Sequence, residues 1–120
     1  MPTRILAVDD SPSMRQLVRG TLAGAGYTLA QAADGVEALA YAKEHGADLV
    51  LTDVNMPRMD GIALTRELRA LPDYQGIPIL LLTTESSPEL KKLAREAGVT
   101  GWIVKPFSPA DLLASVKRAL

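Results

Sequence analysis

The 120-residue chain has no cysteine, one histidine, one tryptophan and one phenylalanine. The absence of cysteine excludes a disulfide framework, a thiolate metal site and a cysteine nucleophile, and it fits a reducing, cytoplasmic compartment. No apolar run approaches the roughly 20 residues of a membrane span, and no secretory signal precedes the first apolar run. A net charge of −1 argues against a general nucleic-acid binder. The charge is unevenly spread: residues 1–85 carry 7 Lys/Arg against 11 Asp/Glu, and residues 86–120 carry 6 against 3. The C-terminal third is therefore the expected face for an acidic partner.

A chain of this length, residues 1–120, is expected to be one domain that buries a single core without staples. Short apolar runs stand at residues 5–8, 27–32, 49–51, 77–82 and 102–104. Each is too short for a helix, and most lack polar alternation, as strands covered on both faces do. Between them, Met14, Leu17, Val18, Leu22 and Ala25 fall at helical spacing. So do Leu64, Leu68 and Leu71, and Leu90, Leu93, Ala94 and Ala97. Ser11-Pro12, Ser87-Pro88 and Ser108-Pro109 each offer an N-cap followed by Pro at the first helical position. Ser108 with Asp111 forms a capping box with Asp in place of the usual Glu. Gly26, Gly46 and Gly98 stand where helices should stop, and Pro72 ends another. Five βα units result, which implies a parallel sheet with right-handed crossovers and helices on both faces.

In such a sheet, ligands bind beyond the carboxyl ends of the strands, where the strand order reverses. Strand 1 ends on Asp9 and Asp10, strand 3 on Asp53, strand 4 on Thr83 and Thr84, and strand 5 on Lys105 and Pro106. Strand 2 runs out into Asp34-Gly35, which reads as a turn, and an order of 2-1-3-4-5 would leave it at the outer edge. If the rim converges, Asp9, Asp10 and Asp53 share a small space. Two carboxylates ~4 Å apart repel by roughly 4 kcal/mol at an effective dielectric of about 20. Without a counter-ion, at least one pKa should rise. An all-oxygen site with few protein ligands and room for water suits Mg2+. With the Lys105 charge and the Thr83 hydroxyl added, it suits a phosphoryl group. Singly, each residue has an ordinary explanation, because Asp caps turns, Lys snorkels and Thr is common in strands. Four strand ends matching in order do not.

The segments "VDDSPSMR", "LTDVNMPRMDG", "LLTTE" and "GWIVKPF" together resemble a bacterial response-regulator receiver domain along essentially the whole chain, of the stand-alone chemotaxis type. That family has a doubly wound α/β fold, flavodoxin-like, with strand order 2-1-3-4-5, so the order stands on the resemblance. The resemblance implies that Asp53 accepts a phosphoryl group from the phosphohistidine of a sensor histidine kinase. Asp10 and Asp53 would bind Mg2+ with the backbone carbonyl of Asn55, while Asp9 acts mainly through water. Lys105 would pair with the phosphoryl oxygens, and Thr83 would hydrogen-bond them. The resemblance also implies a cis bond at Lys105-Pro106, and it matches Met56-Pro57 and Gly61 to the turn into helix 3. Trp102 takes the switch-aromatic position. With Thr83, it would pass the state of the site to a surface of helix 4, strand 5 and helix 5 that meets a downstream protein. Asn55 and Glu85 would flank the path of the attacking water, and their polar groups imply fast self-dephosphorylation. Two positions depart from the pattern. Thr84 is typically Ala or Gly, which narrows access to Asp53. Trp102 is bulkier than the usual Tyr or Phe, so a partly buried ring beside helix 4 competes with an inward swing.

Other classes fit less well. A haloacid-dehalogenase-like, Mg2+-dependent phosphatase needs a second acidic residue where Asn55 stands, and its acidic pair lies at the other end of the chain. A flavin module would meet repulsion between its phosphate and Asp9-Asp10. A receiver fold used only as an adaptor would normally lose an acidic residue or the Lys. A receiver in a phosphorelay unrelated to chemotaxis stays open. His45, beside Gly46, reads as a helix-end residue and not as a phosphodonor, so the chain is not the kinase half. Lys91, Lys92 and Arg95 read as a solvated helix face. The expectation is a monomeric receiver that is no enzyme beyond its own phosphorylation and dephosphorylation, and that contacts protein rather than nucleic acid or membrane.

Overall fold

Side-chain alternation along the central strands decides where the core lies. The computed structural model describes residues 3–84 and 87–120. Chain order runs β1 (Arg4–Val8), α1 (Pro12–Ala23), β2 (Thr28–Ala32), α2 (Gly35–Glu44), β3 (Leu49–Asp53) and α3 (Gly61–Arg69). A 3-10 turn (Pro72–Tyr74) follows, then β4 (Ile79–Thr83), α4 (Pro88–Ala97), β5 (Gly101–Val104) and α5 (Pro109–Ala119). Among the described residues, the five strands form one parallel sheet in the order β2-β1-β3-β4-β5, as expected. Ile5, Ala7, Leu49, Leu51, Leu80 and Leu82 point to one face, where Val18 and Leu22 of α1 and Leu112 and Val116 of α5 cover them. Their neighbours Leu6, Val8, Val50 and Ile79 point to the other, against Ala38 and Ala42 of α2 and Leu64 and Leu68 of α3. Leu81 meets Ala94 and Ala97 of α4. Each buried Leu or Ile contributes about 1.5–3 kcal/mol, so register is fixed strongly in the middle of the sheet.

The three Ser-Pro starts are helix caps. Ser11, Ser87 and Ser108 accept from the backbone N–H groups of Met14, Leu90 and Asp111, and Ser108 with Asp111 completes its capping box. Several local expectations are corrected. Asp34 does not sit in a free turn: it is the N-cap of α2, accepting from Glu37 N–H at 2.8 Å. Helix α1 stops at Ala23 with Gly24 as its cap, and Gly26 takes a φ of +96° in the turn beyond. Helix α2, by contrast, stops where expected, at Glu44 with His45 as its C-cap and Gly46 just beyond. Helix α3 ends at Arg69, and Pro72 opens the 3-10 turn instead of closing the helix. Leu17 and Leu93 are 43% and 45% exposed. The buried stripes run through residues 14, 18 and 22 of α1 and through 90, 94 and 97 of α4, leaving both leucines off axis. No helix among the described residues is long and apolar enough to cross a membrane.

Candidate functional site

Parallel register delivers four strand ends to one rim. Val8 pairs with Thr52, Asp53 with Leu82, and Thr83 with Val104, so the residues that follow emerge side by side. Asp9 continues the ladder through its N–H to the Ala32 carbonyl at 3.1 Å, and Lys105 N–H donates to the Thr83 carbonyl at 2.7 Å. The adjacent carboxylates that close β1 have separate surroundings. Asp9 is buried, at 3% exposure, and Asp10 is exposed. Asp9 Oδ1 accepts the Ser11 N–H at 2.9 Å, and Lys105 Nζ lies 3.4 Å from its Oδ2. Asp53 Oδ1 accepts from Lys105 Nζ at 3.0 Å and from Val54 N–H at 3.0 Å.

Carboxylate oxygens of Asp9, Asp10 and Asp53 all lie within 4.8 Å of one another. One ammonium thus faces three carboxylates, and negative charge remains in excess. The consequence reaches Asp53. Burial raises its pKa above the ordinary 3.8, the Lys105 hydrogen bond opposes that rise, and the charge of Asp9 adds to it. The donor set is all oxygen, close-spaced and open on the Asp10 side, which suits a hard divalent cation that keeps some of its water. The Lys105-Pro106 bond is cis, as the resemblance implies.

Thr83 is buried at the end of β4. With Leu81, Leu90, Lys91, Ala94 and Trp102 it lines a cavity of about 10 Å3, barely room for one water. Trp102 is partly buried against α4. Lys91 Nζ lies 5.3 Å and Arg95 Cζ 5.4 Å from its ring centroid, so these two cations are indole partners and not simply a solvated face. Thr84 is exposed just beyond β4, and Asn55 is exposed two residues past Asp53. Glu85 lies outside the described residues.

Sequence reasoning missed two cations at the rim. Arg15 Nη1 donates to the Asp9 carbonyl at 2.6 Å from the second turn of α1, and Gln31 Nε2 in turn donates to the Arg15 carbonyl at 2.9 Å. Arg58, in the loop after β3, pairs with Asp34. The only signal for either was its nearness to an acidic motif, and backbone acceptors leave no mark in a sequence.

Known proteins share the sequence and the fold. Response regulator MprA of Mycobacterium sp. (strain KMS) is 40% identical over 120 residues, all of this chain but 51% of that protein, so the chain spans about half the length of the curated relatives it matches first. The solved structure of chemotaxis response regulator CheY4 of Vibrio cholerae has 48% sequence identity and a TM-score of 0.97, covering 100% of both chains. The receiver domain of sensor histidine kinase PA1611 from Pseudomonas aeruginosa PAO1 has 30% identity and a TM-score of 0.91 over 99% of this chain and 98% of that one. Its structure holds a magnesium ion coordinated in the active site cleft. The pattern of the response regulator receiver domain matches residues 5–117. With the sheet order, the three clustered carboxylates and Lys105 already in place, that match settles the family: the chain belongs to the response regulator receiver domains.

Proposed function

We propose that this receiver accepts a phosphoryl group on Asp53 from the phosphohistidine of a sensor histidine kinase. The observation that carries the reading is Lys105 Nζ at 3.0 Å from Asp53 Oδ1, inside a cluster of three carboxylates. Asp10, Asp53 and the Asn55 backbone carbonyl would hold Mg2+, with Asp9 acting mainly through water, and the ion would supply positive charge to the carboxylates and to the phosphoryl oxygens. An Asp53 oxygen attacks phosphorus as the bond from phosphorus to the kinase imidazole breaks. Lys105 then shifts its contact from the free carboxylate to a phosphoryl oxygen, and the Thr83 hydroxyl donates to another. Asp9, held by Ser11 N–H and Lys105, orients the ammonium. Asn55, exposed two residues past Asp53, borders the approach of the water that later attacks the acyl phosphate and so sets its lifetime, and the family resemblance gives Glu85 a share in the same role.

The output is a phosphorylation-dependent protein contact on α4, β5 and α5, made by a cytoplasmic monomer. The basic C-terminal third suits an acidic partner. Likeness to a chemotaxis regulator over its whole length favours chemotaxis as the pathway, while the match to half of MprA supports a receiver serving another phosphorelay. Asn55 in place of a second acidic residue weighs against the phosphatase reading. Phosphotransfer from a sensor kinase should give an alkali-labile product on the native chain and none on Asp53→Asn. Label that survives in Asp53→Asn would move the acceptor to Ser11, Ser13 or Thr83.

A further inference from the structure

The loop from 54 to 60, which carries Asn55, is tied at its base and at its tip. At the base, Gly61 N–H donates to the Val54 carbonyl at 2.9 Å. At the tip, Met59 N–H donates to the Pro57 carbonyl at 2.7 Å, across an Arg58 with φ +66°. This is a γ-turn of the rarer, strained hand, and Arg58 is the one non-glycine at positive φ among the described residues. Such strain persists only where the surroundings over-determine it. Here the surroundings are the start of α2. Arg58 Nε and Nη2 both donate to Asp34 Oδ2, at 2.9 and 2.5 Å, while Asp34 Oδ1 caps α2. The Asp34 side chain is 9% exposed, and its carboxyl is held below the usual carboxylate range by the Glu37 amide first and Arg58 second. Beside the pair, Gly35 N–H donates to the Met59 carbonyl at 3.3 Å, and a Cβ at Gly35 would lie 2.6 Å from that oxygen. Met56 and Met59 pack into the core beneath.

We propose that Arg58 and Asp34 are positioning residues for the cation held at Asp9, Asp10 and Asp53. The pair fixes the tip of the 54–60 loop against α2, so the Asn55 backbone is ordered before the ion arrives. Preorganisation of this kind removes an ordering cost from the binding step. The inference rests on the acidic cluster being the Mg2+ site, and it adds an outer pair, of which Asp34 stands far along the chain from any ligand.

Charge and positioning give opposite signs at Arg58, which makes it the deciding residue. Removing a positive charge from the loop that carries Asn55 should, by Coulomb attraction alone, tighten a divalent ion. Loss of positioning should weaken it. Arg58→Gln keeps the backbone demand at residue 58 and removes the pair. Arg58→Gly removes the pair and relieves the turn, so loop order is lost without a loss of fold. Asp34→Asn keeps a good N-cap for α2.

Mg2+ titration of the full chain, followed by Trp102 emission and by amide shifts at the rim, reads the effect directly. Each of the three variants should bind Mg2+ about tenfold more weakly, the low end for outer partners of a metal site. Arg58→Gln with Asp34→Asn should be no weaker than either alone, because both remove one interaction. Arg58→Gly should resist urea as well as the native chain and still bind weakly. Unchanged or tighter binding in Arg58→Gln and Arg58→Gly, with Asp10→Asn weak, would overturn the positioning role and leave the metal site standing. Unchanged binding in Asp10→Asn as well would overturn both.

Discussion

Asp53 sets folding against chemistry within one side chain. Its carboxyl is half-buried and bonded to Lys105, yet its pKa stands above the ordinary 3.8 because burial outweighs that bond and Asp9 adds to the rise. A carboxyl raised on folding costs stability wherever the folded state must ionise it. The cost is full above the raised value, and it disappears below 3.8, where both states keep the proton. Metal-free Asp53→Asn should therefore be more stable than the native chain at neutral pH, by about 1 kcal/mol. The advantage should shrink as pH falls through the raised value and be gone below the ordinary one. Urea unfolding with a chelator present, run across that window, measures it. An advantage that grows on acidification would contradict the electrostatic reading. Mg2+ at ten times its Kd should restore about 1.4 kcal/mol to the native chain and far less to Asp53→Asn.

At the scale of elements, the site depends on how closely the chain can fold back after β3. A Cβ at Gly61 would lie 2.1 Å from the Asp53 carbonyl oxygen, a backbone atom that cannot step aside. Gly61→Ala should cost about 3 kcal/mol or more in chemical denaturation, at the upper end for overpacking. An Ala variant as stable as the native chain would show that the loop base is looser than its geometry. Elements of this kind were legible where the cause is local. Ser-Pro starts named three helices because cap and Pro act within one turn, and the rim residues were readable because each ends a strand or directly follows one. Other ties had no local cause. Arg69, at the end of α3, donates to the carbonyls of Gly98, Tyr74, Gln75 and Ile77 and so binds α3 to the end of α4. Its partners are backbone oxygens up to 29 residues away, and carbonyls are common to all residue types. Leu17 misled for a related reason: helical spacing marks an apolar arc, but only packing decides its centre.

At the scale of the whole molecule, the site stands on one edge of the sheet and a partly buried aromatic, Trp102, lies behind it. Thr83 belongs to both, since its backbone carbonyl accepts from Lys105 N–H and the residue lines the small cavity shared with Trp102. About 10 Å3 cannot admit an indole, so Trp102 can move inward only if Thr83 and Leu90 make room. Lys91 and Arg95 hold the ring in its present place by about 0.5–1 kcal/mol each, a gap within the few kcal/mol over which a ligand with differential affinity shifts a two-state element. Fluoroberyllate, a phosphoryl mimic, should change Trp102 emission and shift amides along α4, β5 and α5. Shifts confined to the rim loops would argue that the state of the site stops at Thr83. All of this presupposes that Asp53 takes up phosphorus, and the intact mass of the chain tests that most directly. After incubation with acetyl phosphate and Mg2+, the native protein should gain one phosphoryl group. It should gain none when Mg2+ is chelated, and Asp53→Asn should gain none in either condition. A native chain that stays unmodified, or an equal gain in Asp53→Asn, would contradict the assignment of the site.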